Sequence, residues 1–226
     1  MEVATFDQSL ASKIDHTLLK PDATASDIHK LCKEALAFSF AAVCVPPYYV
    51  NLAAQQLAGT KVKVATVIGF PLGYHLTYTK LHEIERAAEL GATEMDMVIN
   101  LSALKNADWS YLAIELHAAA ELTHQKLGNL LKVIIETALL TPDEIVKVCH
   151  ICEEANVDFV KTSTGFSGSG ATVEAVQLMR KSLPPHISIK ASGGIRTKQD
   201  ALAMINAGAD RLGCSASVQI VSLPTN

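Results

Sequence analysis

The sequence contains few of the features that mark extracellular, membrane or nucleic-acid-binding proteins. Its five cysteines are irregularly spaced and odd in number, which argues against a disulfide framework. The only C-x-x-C pair, Cys149 and Cys152, lies inside a helical pattern, where small buried residues are the simpler interpretation. No apolar run reaches the roughly 18 residues of a transmembrane helix. The opening "MEVATFDQSL" has neither the basic nor the apolar region of a signal peptide.

The sequence also lacks a strong excess of either positive or negative charge. The net charge is −4, and acidic and basic residues are mixed along the chain without a basic stripe. The eight histidines are scattered, with no H-E-x-x-H motif or paired spacing typical of a metal site. We therefore expect a cytoplasmic protein that binds neither nucleic acid nor membrane and holds no metal.

What the sequence does have is a regular alternation of short Val- and Ile-rich runs with longer helical patterns. The runs predict eight strands, at 13–17, 41–45, 63–68, 94–99, 131–136, 158–162, 187–191 and 211–215. Alternation at this spacing is typical of a parallel sheet covered by helices. We predict an α/β fold in which residues 1–226 form one (β/α)8 TIM barrel with a short final helix. An open doubly wound sheet is the alternative, but no glycine fingerprint follows the first strand.

The active sites of such barrels lie where the strands end, at the C-terminal face of the barrel. The polar and small residues at the predicted strand ends are Asp15, Thr17, Cys44, Asp96, Asn100, Glu136, Lys161, Lys190, Gly213 and Ser215. Two lysines and an aspartate thus converge on one mouth, and Lys161 and Lys190 follow each other on neighbouring strands.

A lysine at the end of an apolar strand suits covalent chemistry with carbonyl compounds. Its amine is a nucleophile only when neutral, and a pKa near 7 requires a decrease of about 3 units, or about 4 kcal/mol. Two unit charges ~4 Å apart repel by ~4 kcal/mol at an effective dielectric near 20. We expect Lys190 to supply most of the decrease for Lys161, and burial among Phe159 and Val160 to act in the same direction.

A phosphate site is predicted in the loops that follow the last strands. "SGGI" at 192–195 and "LGCSAS" at 212–217 follow strands seven and eight, where this fold usually binds phosphate. Glycines allow backbone N–H groups to approach an anion. Thr17, Cys44, Asp15 and Thr164 complete the predicted substrate-binding set.

Eight motifs occur in the order found in a known family. They are "IDHTLLKPDAT", "VCVPPYYV", "ATVIGFPLG", "GATEMDMVIN", "LKVIIET", "DFVKTSTGF", "IKASGGIRT" and "GADRLGCS". Across nearly its whole length the sequence resembles the class I, Schiff-base 2-deoxyribose-5-phosphate aldolases. It differs from the family pattern at "GFSGSGAT", at Cys214, and at "SLPTN", where longer members continue into a tyrosine-bearing tail.

The resemblance implies a lyase that cleaves 2-deoxy-D-ribose 5-phosphate to acetaldehyde and D-glyceraldehyde 3-phosphate without a cofactor. It implies Lys161 as the Schiff-base lysine and Asp96 with Lys190 as the proton-transfer pair. The expected partners are small phosphosugars and aldehydes, and the expected assembly is a homodimer or homotetramer. The residues implied for phosphate binding are Gly165, Gly193, Gly194, Gly213 and Ser215.

Two other functions remain open at the level of sequence. One is a Schiff-base barrel aldolase of the transaldolase or fructose-bisphosphate type, which acts on larger ketose donors. The other is a phosphosugar-binding barrel without catalysis. An assay with acetaldehyde as the only donor distinguishes the first alternative from a deoxyribose-phosphate aldolase. Borohydride trapping distinguishes the second alternative from any Schiff-base enzyme.

Overall fold

The computed structural model describes residues 6–222 as a closed barrel of eight parallel strands in the order β1 to β8. The strands are β1 Ile14–Thr17, β2 Ala42–Val45, β3 Lys63–Ile68, β4 Glu94–Val98, β5 Leu130–Ile134, β6 Phe159–Lys161, β7 Ser188–Ser192 and β8 Arg211–Cys214. The predicted TIM barrel is confirmed, and so is each predicted strand, with ends that differ by at most two residues. Residues 1–5 and 223–226, including most of "SLPTN" and the start of the predicted domain, lie outside the described residues.

Helices cover the outside of the barrel between the strands. They are α1 Gln8–Ala11, α2 Ala25–Phe38, α3 Val50–Gln56, α4 Thr77–Glu89, α5 Leu101–Lys105, α6 Trp109–Glu121, α7 Pro142–Glu154, α8 Val173–Ser182, α9 Lys198–Ala207 and α10 Ser217–Val221. Short 3-10 turns at Pro47–Tyr49 and Thr137–Leu139 and a π-helical turn at Leu122–Lys126 complete the connections. Within residues 6–222, no helix has the length and apolar character needed to cross a membrane.

Local sequence signals fix the ends of several helices. Thr24, Thr141 and Thr197 each begin a helix with a capping box, in which the threonine side chain and an acidic side chain three residues later bond each other's backbone N–H. Gly208 ends α9 in a left-handed conformation (φ 114°) that favours glycine. Cys149 and Cys152 are buried inside α7, as the helical pattern predicts.

The apolar core lies mainly between the barrel and its helices. Outward residues such as Met95, Met97 and Val133 belong to this large cluster and are fully buried. Inside the barrel, Ala42, Cys44, Ala65 and Val67 form a small apolar cluster on the β2–β3 side. Bulky aliphatic side chains usually fill TIM barrels, whereas here the interior of the remaining strands carries charged side chains.

Candidate active site

The three predicted catalytic residues meet inside the barrel. The Asp96 Oδ2 atom lies 2.7 Å from Lys161 Nζ and 2.8 Å from Lys190 Nζ, and accepts a hydrogen bond from each amine. Strand register produces this meeting, because Lys161 and Lys190 are paired across β6 and β7 and Asp96 projects from β4. Asp96 and Lys190 are fully buried, and Lys161 is 3% exposed.

Further charged side chains surround these three and were missed at the level of sequence. Lys132 Nζ donates to Asp96 Oδ1 at 2.9 Å, and lies 2.6 Å from Glu94 Oε2 in an ion pair that lacks hydrogen-bond geometry. Arg211 donates to Asp15 Oδ1 at 2.7 Å and lies 3.6 Å from Glu94. Lys132 also lies within an apolar run, "LKVIIE", but near its start, so the strand-end position that pointed to Lys161 does not select it.

The charges in this cluster balance when Lys161 is neutral. Among the described residues, the ion pairs inside the barrel join four cations, Lys132, Lys161, Lys190 and Arg211, to three anions, Asp15, Glu94 and Asp96. The ammonium form of Lys161 leaves one uncompensated positive charge in a site shielded from water. Uncompensated buried charge is unfavourable, so the geometry favours the neutral amine at this one position.

The pKa shifts follow from this arrangement. Burial lowers the pKa of Lys161; Asp96 opposes the decrease, and the ammonium of Lys190 adds to it. Burial, rather than Lys190, is therefore the largest cause, which corrects the expectation from sequence. Burial alone would lower the pKa of Lys190, but Asp15 and Asp96 raise it above its usual value. Burial alone would raise the pKa of Asp96, but the three lysines hold it well below its usual range.

A cavity of about 270 Å³ opens above the cluster at the C-terminal ends of the strands. Of the three catalytic candidates, Lys161 alone lines it. The other predicted residues in its wall are Thr17, Thr164, Gly165, Gly193, Gly194, Gly213 and Ser215. The Lys161 amine and a glycine-rich wall therefore share one cavity.

Two predicted substrate-binding residues lie outside this wall. Asp15 is fully buried among the charges, where Lys190 and Arg211 both donate to its carboxylate. Cys44 is buried in the small apolar cluster inside the barrel, and burial raises its pKa to about 11. In this structure neither side chain faces the cavity, so Asp15 acts on the site through Lys190.

The glycines of the wall permit close packing of three loops. Gly193 and Gly194 have left-handed backbones, with φ of 82° and 79°. A Cβ atom on Gly170 would lie 2.1 Å from the Gly193 carbonyl, so these two loops touch through their backbones. A Cβ atom on Gly213 would lie 3.2 Å from Lys190 Cε, so this glycine also makes room for the Lys190 side chain.

Two basic side chains in the wall were not predicted. Lys20 follows β1 and Arg196 follows β7, and both are exposed residues that line the cavity. Their signal in the sequence is a basic residue in a loop after a strand, which is common on any surface and therefore weak. Beside them, a second cavity of about 490 Å³ runs along α2, and neither Lys161 nor Lys190 lines it.

Metal ligands are not grouped here: within residues 6–222, no cluster of three or more His, Cys, Asp and Glu side chains could hold a metal ion.

Comparisons with known proteins identify the family of the chain. The family model described as DeoC/LacD family aldolase matches residues 9–216. Deoxyribose-phosphate aldolase of Thermococcus gammatolerans is 54% identical, with 94% of this chain and 95% of the relative covered. That of Thermoanaerobacter sp. (strain X514) is 52% identical, with coverage of 94% and 96%. The tetrameric deoxyribose phosphate aldolase structure from Aeropyrum pernix superposes with a TM-score of 0.88 at 34% identity, covering 94% of this chain and 89% of its own. On the strength of the family match and these identities, the chain belongs to the DeoC/LacD family of aldolases.

Proposed function

We propose that this protein catalyses the reversible aldol cleavage of 2-deoxy-D-ribose 5-phosphate to acetaldehyde and D-glyceraldehyde 3-phosphate, a step of deoxyribose phosphate catabolism. The observation that carries the proposal is Lys161, an amine of lowered pKa at the floor of a cavity whose wall is glycine-rich. The names of the relatives support this substrate.

In the proposed first half-reaction, the neutral Lys161 amine attacks the aldehyde carbon C1 of the open-chain sugar. A C–N bond forms, and the carbonyl oxygen becomes a hydroxyl group that leaves as water, which gives an iminium ion. Lys190, whose pKa is raised, is protonated and supplies a proton to the departing oxygen. Asp96, which is ionised before the attack, takes the proton that leaves the attacking amine and passes it to the carbonyl oxygen, directly or through water. This proton and the one from Lys190 complete the departing water molecule.

In the second half-reaction, the iminium ion accepts the electron pair of the C2–C3 bond. The C3 hydroxyl group loses its proton to Lys190, which the first half-reaction leaves neutral, and its oxygen becomes the aldehyde oxygen of glyceraldehyde 3-phosphate. C1 and C2 become an enamine, and Lys190 returns the proton to C2. Hydrolysis then releases acetaldehyde and restores the amine. The iminium is itself the electron sink, so the proposed chemistry needs no cofactor.

The glycine-rich wall of the cavity suits the phosphate group of this substrate. Left-handed turns at Gly193 and Gly194 leave backbone N–H groups free to approach an anion. Ser215 adds a hydroxyl group, and Lys20 and Arg196 add positive charge at the same wall. We propose that these five residues hold the phosphate dianion.

Thr164, one of the predicted substrate-binding residues, already uses its hydrogen-bond donors within the protein. Its backbone N–H lies 3.3 Å from both carboxylate oxygens of Glu136, and its hydroxyl group donates to the same carboxylate. Its hydroxyl oxygen accepts from the Phe166 N–H at 3.1 Å. We therefore assign Thr164 to the shape of the wall rather than to direct phosphate binding.

We also propose a homodimer or homotetramer in the cytoplasm. The tetramer described for the Aeropyrum pernix relative supports an oligomer. All five cysteines are buried free thiols, which suits a reducing compartment. Sedimentation velocity would determine the assembly.

The proposed function is tested by measuring acetaldehyde released from 2-deoxy-D-ribose 5-phosphate with a coupled alcohol dehydrogenase. We expect release by the wild type and its loss in Lys161→Met. Equal release by both proteins would contradict the proposed nucleophile. No release by either, together with cleavage of a ketose phosphate, would favour the transaldolase-type alternative.

A further inference from the structure

Glu136, just beyond β5, combines two unfavourable features. Its backbone is left-handed (φ 55°, ψ 63°), a conformation that residues other than glycine rarely adopt. Its carboxylate is fully buried, and within residues 6–222 it forms no ion pair with a basic side chain. Strained or desolvated residues beside an active site are candidates for a functional role.

Backbone hydrogen bonds on both sides hold Glu136 in this position. The Ile135 N–H donates to the Lys161 carbonyl at 3.0 Å, and the Thr137 N–H donates to the Thr162 carbonyl at 2.9 Å. Glu136 is therefore fixed between two attachments to β6, the strand of the nucleophile. The left-handed backbone ends the extended path of β5 and places the carboxylate at the loop that follows β6.

The carboxylate of Glu136 organises that loop. It accepts both donors of Thr164, and the Thr164 hydroxyl oxygen in turn accepts the N–H of Phe166. These contacts enclose Gly165, whose left-handed φ of 83° turns the chain toward Gly193. Both donors of Thr164 end on the Glu136 carboxylate, so removal of that side chain leaves Thr164 with two buried donors unsatisfied.

The loop held in this way is a wall of the substrate cavity. Thr164, Gly165 and Phe166 all line the cavity, whereas Glu136 does not. The Phe166 ring also packs edge-on against Phe70 after β3, with ring centroids 5.2 Å apart, and so joins two sides of the mouth. Displacement of Thr164 would therefore move the surface that faces the phosphorylated end of the substrate.

We propose that Glu136 is a positioning residue that fixes the Thr164–Phe166 turn for binding of the phosphorylated sugar, without taking part in the amine chemistry. The proposal rests on the proposed function, because it concerns the affinity of that same site. It separates two tasks: β6 itself places Lys161, while the carboxylate at the end of β5 places the loop that follows.

The test compares Glu136→Gly with Glu136→Gln and with Asn156→Gly. Glycine removes the carboxylate and the backbone strain together. Glutamine keeps one carbonyl oxygen as an acceptor for Thr164. Asn156 has the same φ of 55° but follows α7, so its glycine variant controls for relief of strain alone.

We expect Glu136→Gly to raise KM for 2-deoxy-D-ribose 5-phosphate about tenfold, the size expected from losing one or two buried hydrogen bonds. The kcat value, the rate of borohydride trapping with acetaldehyde and kcat/KM for unphosphorylated deoxyribose should each stay within about threefold of wild type. The KM of Glu136→Gln should lie between the values of Glu136→Gly and wild type, and the KM of Asn156→Gly should equal that of wild type.

An unchanged KM in Glu136→Gly would overturn the positioning role. An equal decrease of kcat/KM for the phosphorylated and the unphosphorylated sugar would also overturn it, and so would an equal decrease in the rate of borohydride trapping. If the thermal melt shows that Glu136→Gly does not fold, Glu136→Gln is used for the same test. Its kcat/KM should then fall for the phosphorylated sugar and stay near the wild-type value for the unphosphorylated sugar. A wild type that releases no acetaldehyde contradicts the proposed function and this role together. An active wild type with an insensitive Glu136 contradicts only this role.

Discussion

Replacement of Lys190 by methionine tests how the site keeps its nucleophile neutral. Methionine is unbranched and fills much of the same space, but it carries no charge. The Lys161 and Lys190 amines both lie within 2.8 Å of Asp96 Oδ2, so they are at most about 5.5 Å apart. At an effective dielectric near 20, unit charges at about 5.5 Å repel by roughly 3 kcal/mol, which corresponds to about 2 pKa units. The variant should therefore raise the pKa of Lys161 by about 2 units.

The assay is the pH dependence of iminium formation with acetaldehyde, measured in a single turnover by quenching with borohydride. Below its pKa, Lys161 is an ammonium ion and cannot attack, so the rate rises with pH and levels off above the pKa. In Lys190→Met, the rise should move about 2 units toward alkaline pH, and the rate at pH 7 should fall ~10²-fold. Part of the rate should return at alkaline pH.

Lys105→Met is the matched control, because Lys105 is half-exposed and pairs with Glu144 outside the barrel. Its pH profile should equal that of wild type. A Lys190→Met profile with an unchanged midpoint would refute the electrostatic reasoning, and would leave burial alone to account for the lowered pKa of Lys161.

Three further outcomes are expected from the structure. Lys80→Met should destabilise the fold by about 3–5 kcal/mol in urea unfolding, because it leaves the fully buried Glu115 without its partner at 2.8 Å; adding Glu115→Leu should recover most of this loss. Gly170→Ala should raise KM for the phosphosugar about tenfold or more, while Gly128→Ala, whose Cβ would meet open space, should not; similar KM values would contradict the packing argument. Ser215→Asp should lower kcat/KM for the phosphosugar ~10²-fold and spare unphosphorylated deoxyribose, and equal losses would disprove a phosphate role.

The barrel could be predicted because its strands and helix ends are encoded locally. Apolar runs set the strands, and capping boxes at Thr24, Thr141 and Thr197 set the helices. Strand ends then identified Lys161, Lys190 and Asp96, since parallel strands bring their C-terminal ends to one face. The predicted fifth strand ran two residues too long, because the left-handed backbone of Glu136 ends it and sequence periodicity does not register that turn.

The full charge cluster could not be derived in the same way. Whether Lys132, Glu94 and Arg211 face the interior depends on the register of the closed barrel, and a shift by one residue would turn each outward. Lys20 and Arg196 lie in loops whose path follows from tertiary packing. The sequence therefore indicated Lys161, Lys190, Asp96 and Asp15. The structure was needed to place Lys132, Glu94 and Arg211 among the charges, and Lys20 and Arg196 in the cavity wall.

Whether Lys161 is the nucleophile can be read from the position of a trapped covalent adduct. The protein is incubated with acetaldehyde and sodium borohydride, digested, and mapped by peptide mass spectrometry. The account predicts one reduced two-carbon adduct, on Lys161, with loss of activity in proportion to labelling. An adduct on Lys190 or Lys132, or full activity after complete labelling of Lys161, would contradict it.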